Sequence, residues 1–516
     1  MAVLLTSARI FLPHAHTFKN NLEDYINSAY QGEIEIGELS AGWHKFGPTL
    51  VVKQVVLSDS EALKVEIDEI DIGLDFWGTL KTQQLKSNNF TLVGANIKID
   101  QTVIIDAGIK KQTSEKADID AFSDLILNQF KRFSVRDSKI FIKTLRRERT
   151  ILLNKLAWHN DGNTHKGIGK LEIEGFSSNS AKLLIDLQGD KRENLKGQIY
   201  IEGNNINLAP WFDKHLKDKA DQFSTEVNFH SWINVAGGYF TDLHINLGEN
   251  TFAWDSFEQQ HVLKIPEGNV SIYRDGQSSN FSMQTSNIEV LFNETPWTEF
   301  QLQATSTPTE SLTNISTVSL DNLWQLFPII KDNIPEFEKY SSLQLSGDLT
   351  NIQFRTSAEN LQLALNLDDV GWNAANGIPG IEQISGRLLF DNDQIQLDIT
   401  SQNNDIDFDG GFSRPIPFNE LKATVNANWN ERLWKLAVSD VFLSSDELTV
   451  NANVQYLQEV EQSGVLSLYA YAEQGDASKA QYYLPLPVMS ESLVDYLTAA
   501  IFHGDVKQAG VLFNGP

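Results

Sequence analysis

Alternation of apolar and polar side chains is the dominant pattern along this chain. In many short segments every second residue is apolar, and mostly polar or small residues lie between. A strand with this period of two has one apolar face and one solvated face. The pattern recurs from near the start of the chain to its end, so it predicts a mainly β fold. The clearest segments are Ile34/Ile36, Val65/Ile67, Leu361/Leu363/Leu365/Leu367, Ile395/Leu397/Ile399 and Leu448/Val450/Ala452/Val454/Tyr456.

Helical segments are few and short. The clearest is 490–503, where Ser490 is suited to cap the start and Gly504 follows the end of an apolar stripe. Residues 119–130 also place apolar side chains at helical spacing. Weaker candidates are 18–29, 210–216 and 320–330. Such short helices cover only small parts of a long sheet.

The apolar face of the sheet therefore needs another cover. Two packed sheets would show visible domain boundaries, and a solenoid would show a fixed period of roughly 20–50 residues. Neither is visible in the sequence. We therefore predict a mainly β fold with an elongated, curled antiparallel sheet that forms an open apolar groove (a trough), with a few short amphipathic helices. Apolar surface left in water forgoes about 25 cal/mol per Å², so acyl chains suit such a groove.

Composition and charge narrow the function classes. The 516 residues carry a formal net charge of −27, which disfavours non-specific binding to nucleic acid or to an anionic membrane. The chain contains no cysteine, which excludes thiol catalysis, disulfides and cysteine-based zinc sites. No linker rich in Pro, Gly or Ser divides the chain, which indicates one continuous body.

Searches for catalytic and metal-binding motifs are negative. The sequence contains no HExxH, GxSxG, Walker or dinucleotide-binding motif. Asp405, Asp407 and Asp409 resemble the start of a calcium loop, but the twelfth position is Ile416 instead of Glu. We therefore predict no catalytic residue, no metal site, no cofactor and no enzymatic activity.

A cluster of basic residues interrupts the acidic background between residues 131 and 149. One interpretation is a contact with anionic head groups or cell-wall polymers; the simpler one is a solvated strand face. Both stay open. The candidate head-group contacts are Arg132, Arg136, Lys139 and Lys143.

The chain begins with a short apolar stretch that includes Val3, Leu4 and Leu5. It is too short for a membrane-spanning helix, which needs about 20 residues. It is either a buried first strand or the remnant of a membrane anchor, and the C-terminus stops within a strand-like segment. Both ends thus suggest truncation.

Several segments resemble the YhdP branch of the AsmA-like proteins. The two most specific blocks are WHKFGPTL at 43–50 and the residues between 482 and 516, which begin YYLP. The others are SARIFLP (7–13), LDFW (74–77), LAPW (208–211), GW (371–372), IPGI (378–381) and ISGRL (384–388).

The resemblance implies a function and a location. It implies that the chain is part of a conduit that carries phospholipid passively between the inner and outer membranes of Gram-negative bacteria. It implies that residues 1–13 are the remnant of an inner-membrane anchor and that 14–516 form a continuous periplasmic β-groove. Phospholipid and the inner membrane are then the expected partners. No nucleic acid is expected.

Two alternatives from other classes stay open. A secreted or surface β-rich adhesin without lipid would show the same alternation, and an enzyme acting on envelope glycans would need a paired acid and base. For the conduit, we predict that one alternating set per strand lines the groove. The chosen residues are Leu361, Leu363, Leu365, Leu367, Leu448, Val450, Ala452 and Val454.

Overall fold

The computed structural model divides the chain into two compact units. The first comprises Met1–Trp254 and Asn269–Ser278, and the second comprises Asp255–Gly268 and Ser279–Pro516. The structure describes residues 16–20, 23–24, 27, 34–44, 47–59, 63–74, 87–100, 120, 122–143, 148–173, 181–208, 223–256, 259–275, 280–327, 338, 340–460, 462–484, 486, 489–501 and 503–515.

The described part of the first unit is almost entirely strand. Its successive strands pair with their neighbours from β1 to β11, β10 also pairs with β12, and β11 pairs with β14. The strands are β1 Glu35–His44, β2 Gly47–Asp59, β3 Leu63–Leu74, β4 Ser87–Asp100, β5 Arg132–Lys143, β6 Glu148–Asp161, β7 Thr164–Ile173, β8 Ala181–Gln188, β9 Lys196–Ile206, β10 Phe223–Ala236, β11 Tyr239–Leu247, β12 Asn250–Ser256 and β14 Gly268–Arg274.

One pairing in the first unit departs from the antiparallel rule. Strands β4 and β5 are parallel, with Phe90 opposite Phe133. Parallel neighbours need a long crossover connection, and here the connection includes a π-helical turn at Leu125–Gln129. We call residues 122–130 the covering segment, because they pack on one face of the sheet.

The core of the first unit lies on that face. Strands β1 to β6 and β8 all contribute buried side chains to one cluster, together with Leu125 and Leu127 of the covering segment. Val65 and Ile67, an alternating pair in the sequence, are among its most buried members. Since so many successive strands share one core, the sheet must curl around it.

The second unit is also an antiparallel sheet. Strands β15, β18, β19 and β20 pair in that order, pairing then continues in sequence to β27, and β27 pairs with β28 and β29; β13, β16 and β17 pair separately. The strands are β13 Gln259–Ile265, β15 Phe281–Thr285, β16 Leu291–Phe292, β17 Thr295–Pro296, β18 Leu302–Ser306, β19 Glu310–Ser319, β20 Ser346–Ser357, β21 Leu361–Trp372, β22 Gly380–Asp391, β23 Gln394–Asp407, β24 Ile416–Trp429, β25 Leu433–Ser444, β26 Leu448–Glu459, β27 Val465–Asp476, β28 Asp505–Val506 and β29 Ala509–Gly515.

A line of irregularities crosses the second unit. Five of its strands contain one non-glycine residue with φ between 50° and 55°. The strand register shifts beside these residues in β20 to β22 and in β25, as at a β-bulge. Bulges bend a strand and increase its twist, so their alignment curls the sheet. The residues are Asn351, Asp369, Gln383, Asn403 and Asp440.

Helices in the second unit are short. Those with bounds among the described residues are the α-helices Leu320–Trp324 and Glu491–Ala500 and the 3₁₀-helix Ala477–Tyr483. A 3₁₀ turn at Arg192–Asn194 lies in the first unit. Ser490 occupies the expected N-terminal position, but its hydroxyl contacts the Ser492 hydroxyl and does not cap the helix. The helix predicted at 210–216 lies outside the described residues.

The predicted fold class is confirmed: the chain is mainly β, with a curled, open, mostly antiparallel sheet and few short helices. The assignment of residues 14–516 to one continuous groove stays a prediction.

Candidate functional site

The curled sheet of the first unit lines an apolar cavity of about 690 Å³ that is partly open to solvent. Strands β1 to β6 line one side and the covering segment lines the other. Among the described residues that line it, all side chains are apolar except those of Gln129 and Ser138. Ser138 is satisfied within the sheet, because its hydroxyl accepts from the Ala95 amide at 2.9 Å and donates to the Arg136 carbonyl at 2.8 Å. The volume of this cavity is ordinary for a small-molecule binding site, and its apolar lining suits a hydrocarbon ligand.

A buried asparagine holds the covering segment against the sheet. The Asn160 amide donates to the carbonyls of Ile126 at 2.7 Å and Phe130 at 2.6 Å. Its side-chain oxygen accepts from the Trp158 indole at 2.6 Å and lies 2.7 Å from Nδ1 of His165. All four polar contacts of this amide are therefore used inside the protein.

His165 extends the same network to a turn. The residue is completely buried, and its Nε2 lies 2.5 Å from the carbonyl of Gly189. The covering segment also packs through its rings, with the Phe130 ring 4.8 Å from Phe90 and 5.8 Å from Phe133. One side of the cavity is thus covered by a segment with specific polar and aromatic contacts.

In the second unit, strand register aligns an apolar row across eight neighbouring strands. Directly opposed residues in an antiparallel pair lie on the same face, and each opposed pair in this row is apolar. With strands about 4.8 Å apart, the row extends roughly 34 Å. Its members are Leu365, Leu388, Leu397, Val425, Val438, Val454, Leu468 and Phe513.

The register also places the predicted groove residues. Leu363 and Leu365 of β21 lie on the face of this row, as do Val450, Ala452 and Val454 of β26. The two predicted sets, although 80 residues apart in sequence, therefore share one face of the sheet. Most of them are half-buried; Leu365 is buried and Leu361 is 41% exposed. Their contact with lipid stays a prediction.

The opposite face of the same strands is mainly polar. Gln362 lies there opposite Arg355 and bonds to Asp391 at 3.0 Å. A second cavity of about 720 Å³ is lined largely by this face, and within it Arg355 forms an ion pair with Glu310 at 2.8 Å. The second unit thus has one mostly apolar and one mostly polar face.

A comparison with protein families assigns the chain to one family. The family model described as YhdP protein matches residues 1–516. The chain belongs to the YhdP family. A curated YhdP relative, "Intermembrane phospholipid transporter YhdP" of Escherichia coli (strain K12), is 22% identical over 533 residues. The match covers 100% of this chain and 42% of the relative, so the chain spans about two fifths of that relative's length. No solved structure matches the chain.

The YhdP-like segment at 482–485 takes part in a charged network. The Tyr483 hydroxyl donates to Glu447 at 3.0 Å, Arg414 pairs with the same carboxylate, and the Arg414 guanidinium lies 4.0 Å from the Tyr482 ring centre. Burial, followed by the bond to Glu447, raises the pKa of Tyr483 to about 12. Burial would raise the pKa of Glu447, but the bonds from Arg414 and Tyr483 outweigh it and lower that pKa. The network ties the 3₁₀-helix to the sheet.

The predicted head-group contacts of this YhdP-family chain lie together on β5. All four cations are exposed on the side of the sheet facing away from the cavity. Arg136 pairs with Asp71 at 3.6 Å and Lys143 with Asp100 at 2.8 Å. The hydrogen bond and charge of Asp100 raise the pKa of Lys143. Contact of these residues with head groups stays a prediction.

The predicted anchor residues Val3, Leu4 and Leu5 lie outside the described residues. Within the described ranges, no helix combines the length and apolarity needed to cross a membrane. The same ranges contain no group of three or more histidine or acidic residues arranged to hold a metal ion.

Sequence reasoning missed the residues that line the cavity of the first unit. The alternating pairs Ile34/Ile36 and Val65/Ile67 carried the signal, and all four line the cavity. The position of the covering segment was harder to infer. The apolar spacing at 119–130 predicts a helix but does not indicate which strands that helix covers.

Proposed function

We propose that this chain forms part of a passive conduit for phospholipid between the inner and outer membranes of a Gram-negative envelope. Acyl chains lie along the apolar face of the curled sheet, while head groups stay in water at its open side. The name of the E. coli relative supports phospholipid as the cargo. The observation that carries the proposal is the apolar cavity and, in the second unit, the apolar row.

The dimensions support lipid as the occupant. The row in the second unit extends roughly 34 Å, which exceeds the approximately 30 Å thickness of a bilayer's hydrocarbon core. A face of this length accommodates acyl chains along its whole course. Its half-buried side chains gain about 25 cal/mol for each Å² that a lipid removes from water.

Transfer along such a face needs no catalytic residue. A lipid that moves along a continuous apolar row exchanges one set of dispersion contacts for an equivalent set, so no position holds it strongly. Net direction then comes from a gradient or from other components of the envelope. Attachment to the inner membrane, through the N-terminal residues, is part of the proposal.

The test compares charges on the two faces of one strand. Leu363→Lys places an ammonium on the apolar face, whereas Gln362→Lys places the same charge on the polar face beside Asp391. We expect lipid extraction and mass spectrometry to recover phospholipid with the unmodified chain and with Q362K, and several-fold less with L363K. A second pair of variants repeats the comparison on β26. Val450→Lys places the charge on the apolar face, and Asn451→Lys places it on the polar face near Glu473.

Circular dichroism should show unchanged strand content in all four variants. Purified chain without lipid would contradict the proposal and favour the β-rich surface protein. Equal lipid content in L363K and Q362K would show that this face does not hold the lipid.

A further inference from the structure

The side of the first unit that faces away from the cavity carries an unbroken row of cations. Arg136 of β5 lies opposite Lys155 of β6, Lys155 opposite Lys170 of β7, and Lys170 opposite Lys182 of β8. All four side chains are exposed. The row ends at Glu202 of β9, which pairs with Lys182 at 3.4 Å.

This arrangement works against folding. Like charges directly opposite each other in a sheet are destabilising. Arg136 and Lys182, the end members, have acidic partners in Asp71 and Glu202. Among the described residues, neither Lys155 nor Lys170 has an ion-pair partner. The two central cations therefore face water and each other.

The row is also unusual for this chain. The whole sequence has 41 Lys and Arg against 68 Asp and Glu, whereas residues 131–202 have 15 against nine. Charges further away than a Debye length of about 8–10 Å are largely screened. An anion in contact with this face therefore experiences the local cations more strongly than the net charge of the chain.

An apolar row runs beside the cationic row on the same face. It crosses β6 to β10, and each of its residues lies directly opposite the next one on the neighbouring strand. Its members, in strand order, are Ala157, Ile168, Leu184, Tyr200 and Trp232. Ile168 is 57% exposed, and the Tyr200 and Trp232 rings lie 5.4 Å apart. Arg132, His159 and Lys166 flank the apolar row on its other side. Arg132 donates to His159 at 3.2 Å, and Lys166 pairs with Asp186 of β8 at 3.4 Å.

We propose that this outer face of β5 to β10 is a docking surface for an anionic lipid bilayer. Cations beside aliphatic and aromatic side chains, here the exposed Ile168 and the half-buried Tyr200 and Trp232, are typical of proteins that rest at a membrane–water interface. An acidic protein or a second acidic copy of this chain would be attracted by the cations but has no need of the apolar row between them. The surface lies opposite the cavity, so the inference does not depend on lipid transport.

Vesicle co-sedimentation of the full chain tests the proposal. The vesicles are phosphatidylcholine alone or phosphatidylcholine with one third phosphatidylglycerol, at low and high salt. We expect binding only to the anionic vesicles and weakening with salt. Each lysine near an anionic surface contributes roughly a fivefold factor in binding, so the double variant Lys155→Gln, Lys170→Gln should bind about 25-fold more weakly.

The matched control is Lys53→Gln, Lys64→Gln. It removes the same charge from the exposed Lys53 of β2 and the half-buried Lys64 of β3, which pair with Glu69 and Glu66. This control should bind as the unmodified chain does. Ile168→Ser should weaken the binding that remains at high salt. Circular dichroism checks that every variant is folded.

Two results would overturn the proposal. Equal vesicle binding by the patch variant and the control would show that the row does not contact the membrane. If the double variant Lys155→Gln, Lys170→Gln changed its oligomeric state while its vesicle binding stayed the same, the outer face of β5 to β10 would be assigned to contact with a second copy of the chain.

Discussion

Asn160 shows how much a single polar side chain contributes to the first unit. It connects two carbonyls of the covering segment to Trp158 and to the fully buried His165. A buried polar group that loses its partner costs about 1–3 kcal/mol. Removal of this one amide would leave several such groups in the core.

We therefore expect Asn160→Ala to lower the free energy of unfolding of the first unit by about 3 kcal/mol. Denaturant unfolding measures the loss, and hydrogen exchange should show faster exchange in the covering segment. Asn204→Ala is the control, because Asn204 is exposed and its side chain, among the described residues, bonds only to Glu202 at 3.1 Å. Equal losses in the two variants would contradict the assigned role.

The Tyr483 network predicts a dependence of stability on alkaline pH. The pKa of Tyr483 rises from its ordinary 10.0 to about 12 in the folded chain. Its contribution is therefore fully present below about pH 10 and is lost as the pH rises through about 12. The lowered pKa of Glu447 predicts a second dependence at acidic pH. The contribution of Glu447 to stability is present above its ordinary pKa of 4.5 and is lost as the pH falls through the lower pKa of the folded chain.

Tyr483→Phe should cost about 1.5 kcal/mol at neutral pH, the low end of the range for a hydrogen bond to a charged group, because Tyr483 is only half-buried. Urea unfolding at several pH values should show this difference shrinking above pH 10. Tyr469→Phe, at a residue that is 51% exposed, should show no such change. A difference that stays constant up to pH 12 would contradict the raised pKa.

Strands of the second unit bend at residues that interrupt their alternation. In β25 the apolar positions run Trp434, Leu436 and Val438, and then change phase to Val441 and Leu443. Asp440, between the two phases, has φ of 55°. The extra residue keeps both apolar sets on one face while the strand bends.

We expect Asp440→Val to destabilise the second unit by about 1–2 kcal/mol, because a β-branched residue is strained at positive φ. Asp440→Gly should be nearly neutral, since glycine adopts this conformation freely. The side chain is exposed, so a difference between the variants in thermal unfolding reports backbone conformation. Equal stabilities would show that the bulge is not strained.

The phase change was visible in the sequence, but its consequence was not. A change between even and odd apolar positions marks a bulge. In β21 the apolar positions change from odd to even between Leu367 and Val370. The direction in which the sheet bends depends on how bulges in neighbouring strands align. That alignment follows from register, which joins residues far apart in the chain.

At the scale of the whole molecule, two units each contain their own core. The core cluster of the first unit includes Val65, and that of the second includes Ile384 and Phe418. Because each core is built from its own strands, lipid binding should stabilise each unit through its own apolar surface.

We expect phospholipid in mixed micelles to raise the unfolding temperature of the chain by several degrees. A ligand at about 100 times its Kd adds about 2.7 kcal/mol to the stability of the state that binds it, and each kcal/mol raises the Tm by about 2–4 °C for a unit of this size. Calorimetry with lipid and with micelles alone measures the effect. No shift beyond that of the micelles would contradict lipid binding.

The sequence by itself determined the β fold and the two faces of each strand, because side-chain alternation depends only on the local backbone. It also predicted groove residues that register places on one face. Tertiary structure alone decided the parallel pairing of β4 and β5, the closure of the cavity by residues 122–130 and the row from Arg136 to Lys182. Each of these depends on which strands pair and in what register. Those choices are set by contacts between residues distant in sequence, which no local pattern specifies.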